Sequence, residues 1–260
     1  QLVQGVRWNP DSDSRLDRAF RGVERCLGSL VDLYIANAQA SAATLTRACG
    51  VPSGKVRVIY NGLADLPAHA VNNDRPLTVV TVANLNARKG YIEYLDVIER
   101  LHARLPQARF VFVGRDDMNG RVQQEIVGRG LAGTVSWVGL AEDVGPWLRD
   151  ARLMVLPSLW GEGCPTSILE GFAWGLPVVA YAVDGVPELI DDGRDGFLVA
   201  PDDRAALAVA IERLLIEPHL ARRMGEAGRD KVERSFTLQR CVEQHAAAFA
   251  ALTGWSPAEH

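Results

Sequence analysis

The chain has 260 residues, of which 48% are hydrophobic and 23% charged, a composition typical of a globular protein with one large or two modest domains. The formal net charge of −4 gives no electrostatic reason to expect nucleic acid as the main partner. The four cysteines lie far apart without a CxxC or Cys/His cluster, which argues against a disulfide framework and a zinc site and fits a reducing cytosol.

The chain opens with "QLVQGVRWNPDSDSR", which has neither an initiator Met nor the basic-then-apolar pattern of a signal peptide. We therefore expect it to begin inside a longer gene product. No apolar stretch approaches the roughly 20 residues that a membrane-spanning helix needs. We expect a cytoplasmic protein and leave open a peripheral contact at the inner face of the membrane.

The first 70 residues predict only a few elements of an α/β unit. Helices are predicted over 15–31 and 41–50, and strands over 32–38 and 55–62. Because these elements are too few to close a domain, we interpret residues 1–70 as the tail of an N-terminal domain. The polar, turn-rich stretch 63–76 is typical of a linker.

From residue 76 onward, short apolar runs rich in β-branched residues alternate with segments of helical periodicity. Strands are predicted over 77–83, 108–114, 133–139, 151–158 and 176–182, and helices over 91–105, 120–130, 143–150, 166–175, 186–192 and 204–217. This α/β alternation predicts a mostly parallel sheet with helices on both faces, spanning residues 71–234. Ligands of such folds bind beyond the carboxyl ends of the strands, next to helix N-termini.

A last helix is predicted over 235–252, within a C-terminal segment 235–260, with Leu238, Val242, His245 and Phe249 on one stripe. On this apolar face, His245 is expected to be packed and not to act as a base. We expect the stripe to lack a complete surface to cover, and therefore to drive self-association or to bind a partner chain.

The segment "EGCPTSILEG" places Glu162 and Glu170 on either side of a predicted helix start, just after a strand. Backbone N–H groups of residues 165–168 would be free to bind a phosphate, and a carboxylate just inside the helix could hold a ribose diol. The structural alternative is a capping box made by Ser167 and Glu170, with Glu162 simply solvated. The position at a strand's carboxyl end favours the ligand-binding interpretation.

A second segment of the same kind is "VANLNARKG", in which Lys89 precedes a helix that follows the strand 77–83. A lysine there would offer a point positive charge to a diphosphate. The alternative is an exposed, solvated side chain, which is what most lysines have.

These segments, together with "FVFVG", "VSWVGL" and "LPVVAYAVDGVPELIDDGRDGFLV", follow one another in an order that resembles the donor-binding half of retaining glycosyltransferases of family 4, which have the GT-B fold. The resemblance covers roughly residues 15–252 and implies a Rossmann-like sheet as the C-terminal domain of a GT-B fold. The segment "ANAQASAATLTRACGVPSGKVRVIYNGL" is similar to the one leading to the family's interdomain hinge, and the helix over 236–252 to the one that crosses back onto the N-terminal domain.

The resemblance implies a role for each matching residue. Glu162 would lie beside the donor sugar, and Lys89 would neutralise the charge of the leaving group; these are the two expected catalytic residues. Glu170 would hold the ribose hydroxyls. The full set of donor-binding residues that it implies is Asn84, Lys89, Gly114, Arg115, Leu140, Glu162, Gly163, Cys164, Pro165, Thr166, Ser167 and Glu170.

Within that set, residues 163–165 would line the sugar largely through their backbone, and Thr166 and Ser167 would present N–H groups to the diphosphate. The loops after Gly114 and Gly139 would flank the base. The chain departs from the family at 83–85, where Ala-Asn-Leu replaces the frequent Gly-Arg-Leu and removes a bidentate phosphate donor. Pro165 and Cys164 also stand where Gly and Phe, respectively, are frequent. Only the final elements of the N-terminal domain are present.

We therefore expect a retaining glycosyltransferase, or its donor-binding fragment, that takes a UDP or GDP type of sugar without a cofactor. The acceptor stays open between a glycan, a lipid and a small molecule. The rival hypothesis is a non-catalytic nucleotide-sugar-binding module that needs a partner domain. The third hypothesis is a sugar epimerase or phosphorylase of the same fold.

We expect no metal site, because the acidic pairs at 116–117, 191–192 and 202–203 fall in predicted turns or helix starts. Arg15, Arg18 and Arg25 could form a basic face toward a lipid headgroup, but the interspersed Asp17 and Glu24 favour an ordinary solvated helix face.

Overall fold

The structure is a computed structural model that describes residues 3–6, 22–23, 25–26, 28–68 and 75–254. Of the helix predicted over 15–31, the structure describes 22–23 and 25–26, which are helical, and 28–31, where a turn over 28–30 forms instead of a continued helix. Arg15 and Arg18 therefore lie outside the described residues, as do positions 69–74 of the predicted linker. Arg25 is exposed and donates a hydrogen bond from Nη2 to the Ala48 carbonyl at 3.1 Å.

The first part of the chain forms a small parallel sheet of three strands in the order β1-β2-β3. Its elements are β1 (Val3–Val6), β2 (Leu33–Ala36), α1 (Gln39–Cys49) and β3 (Val56–Val58). The helix α1 packs Leu45 and Cys49 against Tyr34 of the central strand. No pattern in the sequence predicts β1, whose four residues include a central glycine.

The second part forms a larger sheet of six parallel strands in the order β6-β5-β4-β7-β8-β9. The strands are β4 (Thr78–Val82), β5 (Arg109–Val113), β6 (Val135–Trp137), β7 (Leu153–Leu156), β8 (Val178–Tyr181) and β9 (Gly196–Val199). Counted from β4, this is the order 3-2-1-4-5-6 of the Rossmann fold, so the predicted α/β, Rossmann-like class is confirmed. The strand β9 is not predicted from the sequence.

Helices cover both faces of this sheet and bury its apolar side chains. They are α2 (Tyr91–Arg104), α3 (Arg121–Gly128), α4 (Gly145–Arg149), α5 (Thr166–Ala173), α6 (Arg204–Ile216) and α7 (Pro218–Ser235). Leu95, Ile98 and Leu101 lie on one side of α2 and are buried. Of the helix predicted over 186–192, only the 3-10 turn Val186–Glu188 forms.

The last helix, α8, runs over Leu238–Thr253 and starts later than predicted, because the Thr237 hydroxyl accepts the Arg240 N–H at 3.2 Å and caps it. Leu238, Val242 and Phe249 are 44%, 55% and 39% exposed. The neighbouring face of α8, with Cys241, Ala248 and Leu252, packs on Leu33 and Ile35 of β2 and on Ile59, which follows β3.

Two chain segments run side by side between the sheets, and we call residues 60–63 and 236–238 the hinge crossing. Leu63 donates its N–H to the Phe236 carbonyl at 2.9 Å and accepts the Leu238 N–H at 2.7 Å. A Cβ on Gly62 would lie 2.4 Å from the Thr237 oxygen, so only glycine permits this approach. None of the described helices combines the length and the hydrophobicity required to span a bilayer.

Candidate functional site

The strand order reverses between the neighbouring strands β4 and β7. The chain continues from β4 toward one edge of the sheet and from β7 toward the other. The loops 83–90 and 157–165 follow these strands and meet above the crevice where such folds bind ligands. Leu159 donates its N–H to the Arg88 carbonyl at 2.8 Å, and the Arg88 guanidinium returns a bond to the Gly161 carbonyl at 2.6 Å. Gly90 has φ +65° and no room for a Cβ, which would lie 2.3 Å from the Pro157 oxygen.

This contact between the loops brings Lys89 and Glu162 together in a buried ion pair. Their side chains are only 11% and 5% exposed. The interpretation of either residue as solvated is therefore wrong. This buried ion pair lies at the switch point of the sheet, where folds of this class bind their ligands.

The backbone around Glu162 is held by Asp184, a residue that the sequence patterns do not single out. Its carboxylate accepts the N–H groups of Gly161 at 2.6 Å and Glu162 at 3.1 Å. Asp184 itself has φ +47°, a conformation that aspartate tolerates better than most residues. Gly185 then donates its N–H to the Glu162 carbonyl at 3.1 Å. The dipeptide Asp-Gly is a turn signal and could have pointed to this position.

The helix α5 starts at the N-cap residue Pro165, and no side chain caps its free N–H groups. Ser167 lies inside the first turn, so the capping-box alternative for Ser167 and Glu170 is wrong. In the part of the chain that the structure describes, the N–H groups of Thr166 and Ser167 have no backbone acceptor. An uncapped helix N-terminus at the carboxyl edge of a parallel sheet can bind an anion.

Glu170 lies in the second turn of α5 and is partly buried. Its carboxylate makes no hydrogen bond or ion pair with another described residue. Burial raises the pKa of this carboxyl above its ordinary value. A partly buried carboxylate without a partner lowers stability, so a ligand that donates hydrogen bonds to it would compensate for that loss.

Cys164 lies in the loop before α5, but its thiol faces the hydrophobic core and is 3% exposed. Burial raises the pKa of this thiol to about 12. A thiol that is buried and has a raised pKa is a poor nucleophile. The Cys164 carbonyl accepts the Asn61 Nδ2–H at 2.7 Å.

Three residues of the expected donor-binding set, Asn84, Gly114 and Arg115, form a second group after β4 and β5. The Asn84 side-chain oxygen accepts the Arg115 N–H at 3.1 Å. Gly114 lies so close to Ala83 that a Cβ would be 2.0 Å from its carbonyl oxygen. The Arg115 guanidinium is paired with Asp117 at 2.6 Å. Leu140 follows β6 at the same edge of the sheet and is 70% exposed.

A carboxylate of the larger sheet's domain also caps a helix of the smaller one. The Glu188 oxygens accept the N–H groups of Gln39 at 2.7 Å and Ala40 at 2.8 Å, which are the first amides of α1. The Tyr60 hydroxyl donates to the same carboxylate at 2.8 Å. Sequence reasoning missed this contact because 149 residues separate Gln39 from Glu188.

Among the described residues, no three His, Cys, Asp or Glu side chains are arranged to hold a metal ion. Three members of the acidic pairs bind backbone N–H groups. Asp116 accepts those of Met118 and Gly120, Asp192 accepts that of Leu198 at 2.9 Å, and Asp203 caps α6.

Residues 76–217 match the model of the family "Glycosyl transferases group 1". The chain belongs to this family. It is 32% identical over 179 residues to the alpha-D-kanosaminyltransferase of Streptomyces kanamyceticus, covering 68% of this chain and 46% of that protein. It is 28% identical over 223 residues to the phosphatidyl-myo-inositol mannosyltransferase of Mycobacterium leprae, covering 83% of this chain and 58% of that protein. The chain thus spans about half the length of the curated relatives that it matches.

The fold is also similar to solved structures. The Anabaena protein HepE in complex with UDP and glucose superimposes with a TM-score of 0.84 at 22% sequence identity, over 96% of this chain and 71% of that one. The architecture is accordingly that of GT-B glycosyltransferases, as the sequence analysis expected.

Proposed function

We propose that this chain is the donor-binding part of a retaining glycosyltransferase, which transfers a hexose-like sugar from a nucleoside diphosphate to an acceptor hydroxyl. The observation that carries the proposal is the pairing of Lys89 with Glu162 beside the uncapped N-terminus of α5. A cation and free amide groups suit a diphosphate, and carboxylates suit sugar and ribose hydroxyls. The family membership and the UDP and glucose in the HepE structure support the same class of ligand.

In the proposed reaction, the bond between the anomeric carbon and the diphosphate oxygen breaks as the acceptor oxygen attacks from the same face. The acceptor proton passes to the departing diphosphate, so no protein nucleophile is needed. Lys89 and the amides of Thr166 and Ser167 stabilise the negative charge that develops on the leaving oxygen. Glu162 binds a hydroxyl of the sugar, and Glu170 binds the ribose diol.

We also propose that no divalent metal takes part. Lys89 and the positive end of α5 supply the charge that a metal would otherwise bring to the diphosphate. The acceptor is a glycan, a lipid or a small molecule.

The test of donor binding is calorimetry with UDP, GDP, ADP and their sugars, followed by a titration of the preferred nucleotide watched through backbone amide shifts. We expect binding to a UDP or GDP compound, with shifts in 83–90 and 161–170. Absence of binding to every nucleotide, or shifts confined to residues 1–60, would refute the proposal. Donor binding without transfer by a polypeptide extended upstream would instead support a non-catalytic binding module.

A further inference from the structure

Asn61 belongs to the hinge crossing, yet its side chain reaches the loop that leads into α5. Its Nδ2 donates to the Cys164 carbonyl at 2.7 Å and lies 3.5 Å from the Thr166 hydroxyl oxygen. The two partners are 103 and 105 residues away along the chain. One amide group therefore contacts both sides of Pro165, immediately before the free N–H groups of the helix.

The bond to the Cys164 carbonyl sets the orientation of the peptide plane between Cys164 and Pro165. The proline ring fixes φ, which is −64° at Pro165, so little freedom remains between that plane and the first helical amide. The direction in which the Thr166 and Ser167 N–H groups point thus depends on a hydrogen bond from outside the helix. Amides that are held in place before a ligand arrives bind an anion better than amides that must first be ordered.

We propose that Asn61 is a positioning residue, which keeps the N-terminal amides of α5 directed at the diphosphate. This inference rests on the proposed function and adds to it a residue from the hinge. Asn61 is followed by Gly62, whose backbone lies against Thr237, so the hinge crossing and the diphosphate-binding end of α5 form one connected unit. A change in the orientation of the hinge would be transmitted through the Asn61 side chain to the amides that bind the diphosphate.

The experiment compares Asn61→Leu with wild type in the 260-residue chain, since leucine has a similar size but neither a donor nor a charge. The measurement is the ratio of the Kd for the nucleoside monophosphate to the Kd for the diphosphate, with the base that wild type prefers. We expect the ratio to fall about fivefold, as for one hydrogen bond to a neutral carbonyl. The Thr166 and Ser167 amide signals of the free protein should shift as well.

Tyr60→Phe is the matched control, because it removes a neighbouring hinge bond of 2.8 Å that ends on Glu188 and not on the loop before α5. Its ratio of dissociation constants should stay near the wild-type value. If Asn61→Leu does not fold, Asn61→Ser serves in its place, since its shorter side chain cannot reach Cys164. A wild-type ratio in a folded Asn61 variant would overturn the inference, whereas failure of wild type to bind any nucleotide would overturn the proposed function.

Discussion

Replacing Glu170 tests whether its carboxylate binds ligand or stabilises the fold. In the described part of the chain its carboxylate makes no hydrogen bond, and α5 needs no cap from it. Glu170→Ala therefore breaks no interaction in the free protein. If Glu170 holds the ribose diol, the loss appears in binding and amounts to about 1.5–3 kcal/mol for hydrogen bonds to a charged group. The dissociation constant for the nucleoside diphosphate should rise roughly 10- to 150-fold.

Replacing Glu170 should raise the thermal stability of the free protein, although it lowers the affinity for nucleotide. Burial raises the pKa of Glu170, so the folded state holds this proton to a higher pH than the unfolded state does. Such a group destabilises the fold once the pH exceeds the unfolded pKa, and the effect is complete above the folded pKa. Glu170→Gln, which has the same shape without the charge, should melt at a higher temperature than wild type at pH 7. The advantage should disappear below the ordinary carboxyl value of 4.5.

Calorimetric titration with the preferred nucleotide and thermal melting between pH 4 and 7 test both statements on one set of samples. Glu170→Gln should bind with an affinity between those of wild type and Glu170→Ala, because it keeps one acceptor oxygen. The reasoning is refuted if Glu170→Ala melts at a lower temperature than wild type and binds nucleotide with unchanged affinity. That result would give Glu170 a structural role.

Three further predictions concern the ion pair, metal ions and α8. Lys89→Met should destabilise the fold by about 3–5 kcal/mol in denaturant unfolding, because it leaves Glu162 buried and unpaired, and the added change Glu162→Gln should restore most of the loss. Equal stability of the single and double variants would contradict this. Treatment with EDTA should leave nucleotide affinity unchanged, and a tenfold loss that Mg²⁺ reverses would show a metal requirement. The exposed stripe Leu238, Val242 and Phe249 should cause self-association in light scattering, which Val242→Lys reduces; a wild-type monomer at all concentrations speaks against it.

The sequence predicts the strands and helices whose apolar pattern stands out, and it fails where tertiary contacts decide. The helix α7 is missed because its sequence is highly charged and holds Gly225 and Gly228, which usually weaken a helix. Both glycines permit close packing. A Cβ on Gly225 would lie 2.0 Å from the Gly175 oxygen, and one on Gly228 would lie 2.3 Å from the Phe172 ring. The strand β9 starts at such a glycine too and follows a turn, so its short apolar run does not stand out.

For the site, the sequence locates the two loops and the free helix N-terminus, because these depend on local order along the chain. It does not predict that Lys89 and Glu162 neutralise each other in a buried pair, since 73 residues separate them. Asn61, Asp184 and Glu188 are missed for the same reason. Each acts on backbone groups that are distant in sequence, and no periodicity marks such a residue.

The helix α1 has Ala38 at its N-cap, so the helix has no side-chain cap of its own. The Glu188 carboxylate binds its first two amides from the other sheet's domain. Pulling the two domains apart would expose these amides and remove two hydrogen bonds to a charged group, each worth about 1.5–3 kcal/mol. The start of α1 therefore depends on the larger sheet's domain, and we expect the two sheets to lose their structure in one cooperative thermal transition.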